Sequence, residues 1–146
     1  MLLINVALGL VTLISSAHAG EQKANVTDEN PAILISAFRH HHGEESVAIS
    51  PVLTRIAQEQ ANAMAARDSL DHNALAPFSS RIGRSGFSRA AENIAYGHND
   101  FAGTLEQWTN SAMHRANLLL HGAKWIGVAH AQNGRRIYWA MVIGGK

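Results

Sequence analysis

Trp125-Ile126-Gly127-Val128-Ala129-His130-Ala131-Gln132-Asn133-Gly134-Arg135-Arg136-Ile137-Tyr138-Trp139-Ala140-Met141-Val142-Ile143 is the stretch that decides the fold class. Trp125 to Ala131 and Arg136 to Ile143 are rich in aromatic, β-branched and small apolar residues, the composition of strands. Between them lies Gln132-Asn133-Gly134, and Asn-Gly between two such runs predicts a β-hairpin. Upstream the period is helical. Asn30-Pro31 reads as an N-cap followed by Pro at the first helical position, with Leu34, Ala37, Phe38 and His41 on one face and Gly43 as the stop. Ser50-Pro51 repeats the signal, and Leu53, Ile56, Ala57, Ala61 and Met64 form the core stripe of an Ala-rich helix running to about Arg67. Residues 73–100 carry Pro77, Gly83, Gly86 and Gly97, so turns and loops are expected there, with a short helix near 78–84. Asp100 caps a further helix with Leu105, Trp108 and Ala112 on one face. Helices first and strands last predict an α+β layered domain.

The chain has 146 residues, 47% of them hydrophobic and 16% charged, with no cysteine. That length fits one domain with a real core. Without cysteine there is no thiol catalysis, iron–sulfur cluster, Cys-based zinc site or disulfide. Twelve Lys and Arg against eleven Asp and Glu give a formal charge of +1, with no basic stripe. This argues against a nucleic-acid binder and against attachment to a membrane surface by charge.

Met1 to Leu13 is nearly all apolar, and the run ends in Ser15-Ser16-Ala17-His18-Ala19-Gly20. A short apolar run closed by Ala-x-Ala reads as a secretory signal peptide over residues 1–19, cleaved after Ala19, with an uncleaved anchor as the rival. The run is too short for a stable membrane span, which takes about 20 apolar residues. Residues 20–29 are polar and read as a flexible lead-in, and 30–146 as the folded domain. The expected location is secreted or periplasmic.

Nine histidines are many for this length. Four positions stand out as carriers of chemistry: His72, Glu92, Ser111 and His114. Two imidazoles and a carboxylate suffice for a three-ligand metal site with an open position, or for an acid–base pair. Spacing does not bring them together, since 42 residues separate His72 from His114. Ser111 has no evident activating base and is not expected to be a nucleophile. His40-His41-His42 cannot all face one ion from a helix and read as a solvated helix end. His98, His121 and His130 read as isolated surface groups. Asn93 and Asn117 are expected to hold loop backbone, Arg115 to pair with a cleft acid or lay its stem on the sheet, and Trp108, Trp125 and Trp139 to be core or cleft wall.

From about Ala32 to Gly144 the chain resembles the CAP superfamily, or SCP domain, and above all its small bacterial branch. Five segments carry the likeness in family order. They are Ile56 to Ala61 ending at Ser69-Leu70-Asp71-His72; Arg81-Ile82-Gly83-Arg84-Ser85-Gly86-Phe87; Glu92-Asn93-Ile94-Ala95-Tyr96-Gly97; Trp108 to Leu119, containing His114-Arg115-Ala116-Asn117; and Ile126-Gly127-Val128-Ala129 with Tyr138 to Val142. The resemblance implies a three-layer α/β/α sandwich around a central, mostly antiparallel sheet. It also implies a cleft lined by two His and up to two acids, three of which fall on His72, Glu92 and His114. The fourth family position, usually Glu, is Ser111 here. Glu106 is the obvious fallback, but around a helix it would stand about 140° away from Ser111. Ala91 replaces the family's usual Gly.

Neutral His72 and His114 are candidate ligands for weakly held zinc or another divalent metal, with Glu92 as a third candidate; no cofactor is expected to be required. Alternatively Glu92 fixes the tautomer of one His. The leading expectation is a secreted binding module for a small apolar, lipid or cell-envelope ligand, with no reaction established. One alternative is a metal-dependent hydrolase or peptidase using His72 and His114 as ligands and Glu92 as base, although the chain has no His-Glu-x-x-His helix. Another is a structural envelope protein with a vestigial cleft.

Overall fold

A computed structural model describes residues 30–146. The signal peptide and lead-in expected for residues 1–29 lie outside the described residues. The elements run α1 (Pro31–His41), β1 (Ala48–Ile49), α2 (Pro51–Arg67), α3 (Phe78–Ile82), β2 (Arg89–Tyr96), α4 (Phe101–Asn110), α5 (Ala112–Leu118), β3 (Trp125–Asn133) and β4 (Arg136–Gly145). The four strands form one sheet in the order β1-β3-β4-β2. β1 pairs parallel to β3; the other pairings are antiparallel. Among the described residues no helix is long and apolar enough to cross a membrane.

The strand period of two sorts β4 between two cores. Trp139, Met141 and Ile143 join Ile35 of α1, Phe101, Leu105 and Trp108 of α4 and Leu118 of α5. Tyr138, Ala140 and Val142 point the other way and join Leu53, Ile56, Ala57, Ala61 and Met64 of α2. The sheet is thus the middle layer of an α/β/α sandwich. The expected α2 stripe is buried as read. Its approach to the sheet is set by Gly127, where an added Cβ would lie 2.0 Å from the Thr54 nitrogen and 2.1 Å from the Leu53 carbonyl carbon. The helix backbone therefore rests directly on β3.

Local signals place the helix ends. Asn30 Oδ1 accepts from the Ala32 amide at 3.0 Å, and Ser50 Oγ accepts from Leu53 at 3.4 Å. Asp100 Oδ1 accepts from Gly103 at 2.7 Å. Gly43, with φ +80°, follows the end of α1, a conformation that suits Gly.

Several expectations are corrected. The loop-rich reading of residues 73–100 missed β2, whose register runs from Arg89↔Gly145 to Tyr96↔Tyr138. Glu92 and Asn93 break the apolar alternation there, yet both are buried and hydrogen-bonded. The expected helix through Ala112 divides at Ser111, which has extended φ −97° and ψ 123°; Ala112 is exposed on α5. The hairpin turns at Gly134-Arg135 rather than Asn133-Gly134, because Asn133 pairs with Arg136 and only Gly134 takes positive φ, +58°. Glycine at the first central position is the II′ arrangement. Trp125 is 38% exposed at the start of β3 and is not core.

The buried face of α1 is also rotated from the expected one. Ile35 and Arg39 are buried, while Ala37 and His41 are exposed. Arg39 is drawn inward by acceptors. Its Nε donates to the Glu45 carbonyl at 2.8 Å, Nη1 to Leu118 at 2.7 Å and Leu120 at 3.2 Å, and Nη2 to Ala123 at 3.2 Å. Glu44 lies 3.7 Å from the same guanidinium. A buried charge is stable only when its donors are met this fully.

Candidate functional site

Glu92 sits in the middle of β2, opposite Val142, and its side chain is 2% exposed. Two segments converge on its carboxylate. Arg81, from the last turn of α3, donates from Nη1 to Oε2 at 2.7 Å and from Nη2 to Oε1 at 2.8 Å. This is a bidentate fork, the strong form of an ion pair. His72, beyond the end of α2, places Nδ1 2.9 Å from Glu92 Oε1. Arg81 is held in turn by the Ala76 and His72 carbonyls, each at 3.0 Å, and its guanidinium lies 5.3 Å from the centre of the Phe78 ring.

The chemistry of the His72–Glu92 contact follows from the partners. A carboxylate accepts, so Nδ1–H is the donor. A neutral His72 then carries its lone pair on Nε2, the arrangement in which a carboxylate orients a ligating or proton-accepting imidazole. The His72 side chain is 50% exposed.

On the other side of β2, α5 is tied down by asparagines. Asn93 Nδ2 donates to the His114 carbonyl at 3.0 Å. Asn117 Nδ2 donates to the Glu92 carbonyl at 3.1 Å and to Asn93 Oδ1 at 2.8 Å. Both asparagines hold backbone, that of α5 and β2 rather than of a loop. Neighbouring residues of a strand point to opposite faces, so Glu92 and Asn93 join the His72–Arg81 segment and α5 to one edge strand. His114 is half-buried and its Nδ1 is buried without a hydrogen-bond partner. Burial, and secondarily the charge of His72, holds the His114 imidazole below its ordinary value of 6.5.

The other expected residues fall apart from this cluster. Ser111 ends α4 and precedes α5 without a side-chain cap bond. Glu106 is exposed on α4. Arg115 donates from Nη1 to the Thr109 carbonyl at 2.8 Å, bracing the break between α4 and α5. His121 lies 3.3 Å from Glu44, and His130 packs against Trp139 with ring centres 4.7 Å apart and planes tilted by 40°. Among the described residues no three His, Asp or Glu side chains gather closely enough to hold a metal ion. Glu92 is engaged by Arg81 at both oxygens, which leaves two imidazoles as the donor set. A concavity of about 410 Å³ lies along the hairpin, lined by residues such as Asp68, Tyr96 and Arg136; none of His72, Glu92 and His114 lines it. Its size does not make it the chemical site, because the converging, orienting contacts are at Glu92.

Arg81 as the partner of Glu92 was not legible from spacing. The only signal was an arginine within a segment of the CAP likeness.

The profile of the Cysteine-rich secretory protein family, CAP, matches residues 33–143, and the chain belongs to this family. Solved structures agree in fold. An extracellular protein containing a SCP domain from Bacillus anthracis is 27% identical, with a TM-score of 0.69 over 79% of this chain and 39% of that one. An outer surface protein from Borrelia burgdorferi is 19% identical, with a TM-score of 0.70 over 79% of this chain and 89% of its own. A cysteine-rich secretory protein from Staphylococcus aureus is 20% identical, with a TM-score of 0.64 over 79% of this chain and 36% of that one. The chain therefore spans well under half of the Bacillus and Staphylococcus proteins. No curated protein matches it.

Proposed function

We propose that the protein is a secreted CAP-domain binding module. In this reading its ligand, a small apolar, lipid or cell-envelope molecule, docks at the face formed by His72 and His114. The observation that carries it is the buried Nδ1 of His114, which has no hydrogen-bond partner, on an imidazole that feels the charge of His72, itself half exposed and held at Nδ1 by buried Glu92. A buried polar atom without a partner calls for a ligand or ordered water. The described names of the Bacillus and Borrelia proteins, extracellular and outer surface, support an exported role, as does the signal peptide read over residues 1–19.

The two imidazoles suit zinc or another borderline divalent ion, with water completing the shell. Such an ion would polarise a bound group. Two protein ligands make the affinity weak and strongly dependent on pH. The hydrolase alternative fares worse. Its base would be Glu92, whose oxygens are both held by Arg81 and which is 2% exposed; a general base must reach the proton it removes.

Calorimetric titration of the purified protein with zinc tests the metal-binding component. Weak saturable binding that vanishes in the His72→Ala/His114→Ala double variant is expected. Equal binding in the double variant would remove these residues from the metal site. A peptidase rate that disappears in Glu92→Gln while the variant stays folded would restore the hydrolase reading.

A further inference from the structure

We infer that a second site, for a phosphate-like oxyanion, lies between α2 and the turn after α3. A concavity of about 240 Å³ there is lined by Arg55, Glu59, Ser80, Arg81, Arg84 and Ser85. Three arginines face one carboxylate. Counting Glu92 behind Arg81, one net positive charge remains.

The donors are not equally available. Arg81 is committed to Glu92 and to two carbonyls, so it forms a fixed cationic wall. Ser85 Oγ donates to the Ile82 carbonyl at 2.6 Å and accepts from the Phe87 amide at 3.3 Å. By contrast, the side chains of Arg84 and Ser80 have no hydrogen bond or ion pair among the described residues. Arg55 meets only Glu59, at 3.3 Å, with the two side chains 65% and 46% exposed. An exposed i, i+4 pair of that kind contributes little and exchanges readily. Two guanidinium forks and a hydroxyl thus converge from α2, α3 and the following turn. Planar forks match the paired oxygens of a tetrahedral anion. Glu59 opposes an anion, and Arg55 exchanges from Glu59 to the bound anion.

The site is independent of the reading for His72 and His114, but it shares a wall with it. An anion seated here draws on the guanidinium that grips Glu92, and Glu92 orients His72. Occupancy is therefore expected to reach the His72 ring signals.

The test is an NMR titration of the purified protein with inorganic phosphate, against chloride at equal ionic strength. Saturable shifts confined to Arg55, Ser80, Arg84 and the His72 ring are expected, with a Kd on the order of 1 mM. Arg84→Gln weakens binding about tenfold or more, and Ser80→Ala about fivefold, since a charged donor contributes more than a neutral one. Both positions are exposed, so the variants keep their melting temperature. Glycerol 1-phosphate binding more tightly than phosphate would identify a monoester as the ligand; equal binding would identify the free anion. Both outcomes support the site. Shifts without saturation, or an unchanged titration in Arg84→Gln, would overturn it.

Discussion

His72 Nδ1 lies 2.9 Å from Glu92 Oε1, yet His72 is half exposed and Glu92 is 2% exposed. The carboxylate is therefore a buried anchor and the imidazole its exposed arm. What stands behind the anchor is Arg81, itself 4% exposed.

Removing that support is costly. Arg81→Met leaves the Glu92 carboxylate buried without its fork, and a loss of about 3–5 kcal/mol is expected, as for other broken buried pairs. Replacing both partners, as Arg81→Met with Glu92→Leu, recovers most of the loss because no charge is stranded. Urea denaturation of the two single variants and the double variant measures the difference. A double variant as unstable as the sum of the singles would refute the coupling.

Gly127→Ala probes the contact between layers. The added methyl would meet Leu53 and Thr54 main chain, which has no rotamer to yield. Overpacking of this kind costs about 1–3 kcal/mol and more when backbone is the obstacle. A melting temperature unchanged from wild type would show that α2 does not rest where described.

The contribution of His114 to stability falls as the medium turns acid. His114 has a folded-state pKa below 6.5 because it is desolvated and lies near the charge of His72. Below 6.5 the unfolded chain binds a proton that the folded domain resists, so the unfolded state gains. Well above 6.5 both states are neutral and the contribution is flat. Urea midpoints measured at about pH 5 and pH 8 should separate for wild type, and the separation should narrow in His114→Gln.

Asn117→Ala loses the bonds to Asn93 Oδ1 and the Glu92 carbonyl. Asn93 is fully buried, and a buried polar group left unmet costs about 1–3 kcal/mol. Chemical shifts of the His114 ring should move with it, because the Asn93 amide fixes that residue's backbone. Shifts confined to residue 117 would mean that the asparagine pair does not position α5.

Arg39→Lys keeps the charge and removes the fork. One ammonium cannot reach four separated carbonyls, so about 1–3 kcal/mol is expected for each carbonyl left buried and unmet. A loss below the cost of a single carbonyl would show that water reaches the gap.

What could be read in the sequence follows from the range of the forces involved. The α2 stripe, the caps at Asn30, Ser50 and Asp100 and the existence of the terminal hairpin are local, and each was legible from neighbours within a turn or two. β2 was hidden because Glu92 and Asn93 occupy core positions as buried polar groups, satisfied by residues 11 to 24 positions away. The inward turn of Arg39 was hidden for the same reason, since three of its four acceptors lie about 80 residues downstream. His72, Glu92 and His114 were singled out as residue types and by likeness to the CAP family. Their local surroundings showed neither that His72 meets Glu92 nor that Arg81 holds them both.

Arg39 also bears on how the domain matures. The chain has no cysteine, yet this one side chain fastens the segment after α1 to the segment between α5 and β3. A clasp of hydrogen bonds closes as soon as its parts meet. It requires no oxidant and no isomerase to correct mispairing, and a thiol reductant leaves it untouched. The completed fold therefore holds without regard to the redox state around it.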